Sequence, residues 1–161
     1  MIRPAHTNDA EAISAIYNHY VNETIVTFEE EPVSSPVMAE RVALALTTPL
    51  PWLILEQGDS IVGYARASKW KERSAYRFSV ETTIYLAPHC VGEGLGTSLY
   101  RKLLDELKQL GIHVAIGGVA LPNAASVALH EKCGFRKVAH FSDVGFKFGR
   151  WIDVAYWQRA L

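Results

Sequence analysis

The stretch YRFSVETTIYLAPHCVGEGLGTSLYRKLLDEL, Tyr76 to Leu107, changes its hydrophobic period in the middle. Up to Leu86 it alternates and is rich in β-branched and aromatic residues, the pattern of a long strand, and Pro88 closes it. From Gly94 on, Leu95, Leu99, Leu103, Leu104, Leu107 and Leu110 recur at helical spacing on one face, and Gly111 supplies the stop. Between the two runs lie Gly92, Gly94 and Gly96, three glycines in five residues. The unit is therefore strand, glycine-rich turn, helix. The first amides of such a helix have no intrahelical partner, its dipole adds positive partial charge, and glycines let the backbone approach a ligand, so the corner is a ready anion site.

Three phosphate-binding readings compete for it. A P-loop needs Lys followed by Ser or Thr after its last glycine, but Gly96 is followed by Thr97 and Ser98 and the next lysine is Lys102, which excludes it. A dinucleotide fold wants Gly-x-Gly-x-x-Gly in a first βαβ unit, whereas this spacing is Gly-x-Gly-x-Gly late in the chain. The third is the coenzyme A pyrophosphate loop, of the form Gln/Arg-x-x-Gly-x-Gly/Ala, which follows a long strand and opens a helix.

Working outward, IRPA is a short strand ending at Pro4. Asn8 or Asp9 caps a helix carrying Ile13, Ile16, Tyr17 and Tyr20 that ends near Glu23. TIVTFEEEP is irregular. A second helix opens at SSPVMAERVALAL, with Ser35 as N-cap and Pro36 at the first helical position, and TTPLP stops it. Two β runs flank Gly58-Asp59, a hairpin pair. After the glycine-rich unit come a strand in HVAIGGVAL, a helix from about Asn123 to Gly134, and two β segments, around Arg136 to Phe141 and Arg150 to Gln158. The order β-α-α-β-β-β-α-β-α-β-β predicts a mixed α/β (α+β) fold with an early antiparallel sheet.

At 161 residues with 49% apolar content, the chain is expected to form one domain, residues 1–161. The net charge of −1 gives no global field toward nucleic acid or an anionic membrane. No signal-like apolar N-terminus and no membrane-length apolar run is evident, so the expectation is a soluble, cytoplasmic protein. Cys90 and Cys133 lack the spacing of a zinc site or disulfide framework, and no metal is expected.

In order along the chain, IYNHYV, IVTFEEEP, KERSAYRFSVETTIYLAP, GEGLGTSLY, LPNAASVALHEKCGF and VGFKFGRWIDVAYWQ resemble the GNAT N-acetyltransferases, most closely the phosphinothricin and methionine sulfoximine acetyltransferases. The resemblance covers nearly the whole chain. It implies the GNAT acyl-CoA N-acyltransferase fold, a central mixed, mostly antiparallel twisted sheet flanked by about four helices. It also implies acetyl-CoA as co-substrate, direct acetyl transfer to the α-amino group of a small amino-acid analogue, and a homodimer. Coenzyme contacts are expected from Ile84, Tyr85 and Leu86, from Val91, Gly92, Glu93, Gly94, Leu95, Gly96 and Thr97, and from Asn123 and Ser126. Val91 departs from the family's usual Gln or Arg, and Gly92 stands where a second basic residue is common, so grip rests on the amides of residues 92 to 97.

Acetyl transfer requires a neutral amine and hence a base. Glu81, a carboxylate in mid-strand among apolar and β-branched neighbours, matches the family's general base, and its bland alternative is a solvent-facing strand carboxylate. His130 matches a second proton-handling residue in the phosphinothricin group, against a histidine merely packed on its helix. Tyr100 is expected to serve packing. Lys69, Lys71, Arg73 and Arg77 place four cations in nine residues, interleaved with Trp70, Tyr76 and Phe78, which suits a small anionic ligand. By resemblance Lys71, Arg73, Tyr76 and Arg77 contact substrate, and strand alternation places Arg77, Ser79 and Glu81 on one face. Phe28 is expected to wall the pocket. Asn123 serves either as coenzyme contact or as plain N-cap. GFKFGRWIDVAYWQ suits strands that cover the pocket or pair across a dimer. Other readings are an acetyltransferase for another primary amine, such as a polyamine or peptide N-terminus, and a coenzyme-A-binding module without catalysis. The 69–77 cations disfavour a polycation, and Glu81 beside them disfavours the module.

Overall fold

A computed structural model describes residues Met1–Leu161. Its strands are β1 (Ile2–Pro4), β2 (Trp52–Gln57), β3 (Ser60–Lys69), β4 (Ser79–Leu86), β5 (Val114–Ala120), β6 (Arg136–Lys147) and β7 (Arg150–Ala160). Four helices accompany them: α1 (Ala10–Glu23), α2 (Ser35–Ala45), α3 (Leu95–Gln109) and α4 (Ala124–Lys132). The expected order of elements is observed, with short 3₁₀ turns added at Thr7–Asp9, Ser74–Tyr76 and Pro88–Cys90. All seven strands form one sheet in the order β1-β2-β3-β4-β5-β7-β6. Every pairing is antiparallel except β4 with β5. Parallel neighbours cannot be joined by a tight turn, and α3 is the crossover that joins these two.

The α3 stripe builds the core: Leu99, Tyr100, Leu103, Leu104 and Leu107 are buried. A buried leucine contributes roughly 1.5–3 kcal/mol, so this one face anchors the crossover against the sheet. Leu110 departs from the stripe and is exposed, because the helix ends at Gln109 and Gly111, at φ +76°, turns the chain away.

Two predicted boundaries move. Ser34, not Ser35, is the N-cap of α2, so Pro36 takes the second helical position. More consequentially, β4 begins at Ser79, not Tyr76. Tyr76 N–H donates to Arg73 and Arg77 N–H to Ser74, so a local turn claims the backbone groups a strand would have used. Arg77 therefore does not share a strand face with Glu81. The penultimate strand is longer than predicted, reaching Lys147, because it follows β7 through two irregular registers and a left-handed Asp143 at φ 54°.

The β4–β5 ladder pairs only Ser79 with Val114, Val80 with Ala115 and Glu81 with Ile116. Beyond Glu81, β4 stays with β3 as far as Leu86, and beyond Ile116, β5 stays with β7 as far as Ala120. The two strands therefore part company in mid-sheet and leave a slot between them.

One wall of that slot is the irregular segment after α1, and Lys147 holds it. This lysine is 1% exposed, and its Nζ donates to the carbonyls of Val21, Thr24 and Thr27 at 2.8, 2.8 and 2.7 Å. All three ammonium protons are thus used, and Val21 lies in the last turn of α1, where a cation is favoured by the dipole. Charge-assisted hydrogen bonds contribute roughly 1.5–3 kcal/mol each and are not additive within one group. Lys147→Met is expected to cost about 3 kcal/mol of stability on that scale, read as a lowered denaturant midpoint, and to raise proteolytic sensitivity within residues 24–28.

Candidate active site

Glu81 ends the parallel ladder, so its side chain stands where the sheet opens. It lines a cavity of about 560 Å³ together with Phe28, Gly118, Asn123, His130 and Tyr156. Gly118, paired with Tyr156 in β7, makes this arrangement feasible. A Cβ on it would lie 3.0 Å from the Tyr156 ring and 3.5 Å from Glu81 Oε1. The missing side chain thus leaves room for a carboxylate and an aromatic edge to converge. Burial pushes the Glu81 carboxyl above the usual carboxylate range, while the charges of Arg66 and Lys71 pull it back. An oxygen acceptor with a raised proton affinity, facing a cavity, is a competent base.

A second cavity of about 450 Å³ continues from the first, sharing Ile84, Tyr85, Asn123 and Ser126. Its far end is formed by Leu86, Val91, Gly92, Gly94, Gly96 and Thr97. The strand contributes backbone here. Ala87 N–H donates to Val62 and Trp70 N–H to Ser79, which fixes the odd-numbered residues of β4 toward β3. Alternation then turns the N–H and C=O of Ile84 and the N–H of Leu86 into the slot, while the Leu86 carbonyl accepts from Tyr20 Oη at 2.6 Å. The loop contributes amides: Ser98 is the first residue of α3 whose N–H reaches back, to Gly94, so those of Leu95, Gly96 and Thr97 precede the helical ladder. Gly92 and Gly94 adopt φ +97° and +80°, conformations strained for any side chain. Glu93 and Leu95 do not line the slot with their side chains, and Leu95 packs toward the core.

Of the two roles weighed for Asn123, the N-cap is observed. Its Oδ1 caps α4 by accepting from Ser126 N–H at 3.1 Å, and the residue lines both cavities. His130 is 3% exposed and packs edge-on against Tyr100 and Phe135, yet it also lines the first cavity. Its Nδ1 lies 2.7 Å from the Ser126 carbonyl, so Nδ1 carries the proton and Nε2 holds a lone pair. Nε2 points at Gly117, where a Cβ would collide with the ring. Burial pushes the His130 pKa down, opposed by the Ser126 bond, which keeps the ring neutral at pH 7. Tyr100 is fully buried and bonds to Thr82 Oγ1 at 2.6 Å, a packing role as expected.

Phe28 walls the first cavity with its ring seated over Gly145, where any Cβ would run into it. Lys71, Arg73, Tyr76 and Arg77 do not line it. All four are exposed, and Arg77 stacks on Phe78 at 4.5 Å and donates to the Ser74 carbonyl. The loop touches the site through Trp70, whose ring meets Tyr156 edge-on at 5.5 Å and carries Lys71 Nζ over its face at 5.1 Å. Several lining residues were not singled out from sequence. Lys132 adds a cation to the lining of the slot, on the helical stripe of Ala125, Ala128 and Leu129. Tyr156 had one signal: it faces the Gly117-Gly118 pair, and glycine inside a strand marks a close approach. No cluster of three or more His, Cys, Asp or Glu side chains is arranged to hold a metal, and no helix is long and apolar enough to cross a membrane.

Residues 2–156 match the model of the acetyltransferase (GNAT) domain. The chain is 41% identical to a phosphinothricin N-acetyltransferase of Streptomyces coelicolor, over 99% of this chain and 95% of the relative. It is 35% identical to an L-methionine sulfoximine/L-methionine sulfone acetyltransferase of Salmonella typhimurium, over 99% and 94%. Among solved structures, a GNAT superfamily phosphinothricin acetyltransferase from Sinorhizobium meliloti in complex with acetyl-CoA superposes with TM-score 0.96 at 36% identity, covering all of this chain and 88% of that one.

Proposed function

Because the chain belongs to the GNAT acetyltransferase family, we propose that it acetylates the α-amino group of a small amino-acid analogue of the phosphinothricin, methionine sulfoximine or methionine sulfone type, with acetyl-CoA as donor and Glu81 as general base. One observation carries this reading: the Glu81 carboxylate lines an apolar, aromatic-walled cavity that continues, through Ile84, Tyr85, Asn123 and Ser126, into a slot lined by unpaired backbone groups. The slot suits coenzyme A, with Ile84 and Leu86 offering groups to the amide-bearing arm and the Gly92–Thr97 amides, with Lys132, facing the diphosphate. Acetyl-CoA, when bound, supplies an activated thioester. Glu81 takes one proton from the substrate ammonium, the neutral nitrogen forms the new C–N bond as the C–S bond of the thioester breaks, and the second proton the nitrogen then sheds goes to the departing sulfur. His130, neutral with a bare Nε2, is the second proton-handling group. Phe28 and Tyr156 wall the amine side, and Lys71, Arg73 and Arg77, with Tyr76 among them, form a cationic rim that draws in an anionic substrate.

Thiol release from acetyl-CoA is expected with phosphinothricin, methionine sulfoximine and methionine sulfone. Coenzyme binding without turnover on any amino acid would refute the reading. Glu81→Gln is expected to lower kcat/KM by about 10²-fold or more, the range for loss of a general base, and to abolish the acid limb of the pH profile. Lys71→Met removes a cation that favours the charged carboxylate, so the Glu81 pKa rises and the acid limb moves to higher pH.

We further propose a homodimer. Phe141, Phe146, Phe148 and Trp151 are 51 to 64% exposed on the β6–β7 hairpin, and β6 is an edge strand. Sedimentation should return twice the chain mass, and a concentration-independent monomer would overturn this.

A further inference from the structure

A smaller cavity of about 120 Å³ adjoins the first, enclosed by α1, α2 and β2 to β4, with Thr83 and Tyr85 lining both. On the opposite wall, the Tyr17 hydroxyl, which lines the small cavity, bonds at 2.7 Å to Thr27, which lines the large one. Two of the donors around this space have no acceptor, Trp52 Nε1 and the Arg66 guanidinium. Trp52 is 4% exposed, and its Nε1–H is buried with no hydrogen-bond partner. Arg66, half-buried and paired with Trp52 across β2–β3, lies over the Trp52 ring at 5.0 Å. The fold's ion pairs engage Arg3, Arg41, Lys69, Lys102 and His140 and leave Arg66 out. Arg41 also lines the cavity, but Glu29 holds it through two bonds of 3.0 and 2.6 Å, a neutral pair. Arg66 is therefore the cation of this cavity that no carboxylate reaches at ion-pair distance, and it acts on Glu29 and Glu81 only from further off. Buried donors without acceptors and guanidinium groups without anions are both costly, and a single oxyanion would satisfy both.

Size and reach narrow the guest. The cavity is the smaller of the two and has room for an oxyanion head group. Arg66 pairs with Thr83, and Glu81 lies two residues further along the same face of β4, roughly 6–7 Å away at about 3.3 Å per residue. An amino acid with its amine at Glu81 thus delivers the end of its side chain, not its α-carboxylate, to Arg66.

We propose that this cavity is a specificity subsite for an anionic side-chain terminus, with Arg66 as counter-ion and Trp52 Nε1 as a second donor. The inference rests on the acetylation reading and deepens it. A phosphinate is an anion, whereas a sulfoximine or sulfone is neutral, so the enzyme prefers phosphinothricin to methionine sulfone. The test is the ratio of kcat/KM for these two substrates in the full-length protein. Arg66→Met should lower that ratio by about tenfold or more, as expected for loss of a charge-assisted pair. Arg66→Lys should restore part of it, and Trp52→Phe, which keeps the ring and removes the N–H, should lower it by roughly threefold. Thermal melts identify any variant that fails to fold, and Arg66→Lys and Trp52→Phe keep the proposal falsifiable if Arg66→Met does. A ratio unchanged within about twofold across the folded variants, or a wild-type protein indifferent to the two substrates, would overturn the subsite while leaving acetylation standing. Calorimetric binding of phosphinothricin that weakens in Arg66→Met, with no acetylation of either substrate, would sink the acetylation reading and leave the subsite intact.

Discussion

The structure is organised by where one hydrogen-bonded ladder stops. Three residue pairs join β4 to β5, and the last of them holds Glu81. Each strand keeps a full partner on its other side, so the sheet tolerates the separation without losing continuity. The separation exposes the backbone of Ile84 and Leu86 on one side and, with the Gly117-Gly118 pair, makes space for side chains on the other. Glu81 and both cavities lie around this point because neither cavity can form where β4 and β5 remain paired.

Much of this was legible in the sequence because it is encoded locally. The change of period at Pro88–Gly94, the hairpin at Gly58-Asp59 and the Asn123 cap are each set by a few neighbouring residues, and each appears as expected. The chain's resemblance to a family with a glutamate in this strand drew attention to Glu81. What did not follow from sequence depends on distant partners. Arg77 fell on the wrong side of a strand boundary because the Arg73–Arg77 turn outbid the alternating pattern for backbone hydrogen bonds. Lys132 looks like a solvated residue at the end of a helix until the slot it lines together with Gly92, Gly94 and Gly96 is in view. Trp52 and Arg66 were silent for a different reason: their significance lies in partners they lack, and the absence of a partner has no sequence pattern.

Glycine serves two distinct purposes around the site. Gly92 and Gly94 are needed for backbone conformation, since both lie at positive φ with open space around them. Gly117, Gly118 and Gly145 are needed for volume, since a side chain there would strike His130, Tyr156 or Phe28. Only the first kind announces itself as a motif. The second kind shapes the cavity and is recognised only once the opposing rings are in place.

The lashing of the 24–27 segment by Lys147 joins residues 120 to 126 positions apart. During synthesis the wall that carries Phe28 emerges early, but its tether is among the last residues made. β7 must also insert between β5 and β6, and it is later still. A nascent or truncated chain lacking the final hairpin would have Glu81 and its glycine loop but no closed first cavity. Closure of the cavity is thereby deferred to the end of translation, a property of chain order and topology that no single residue in it records.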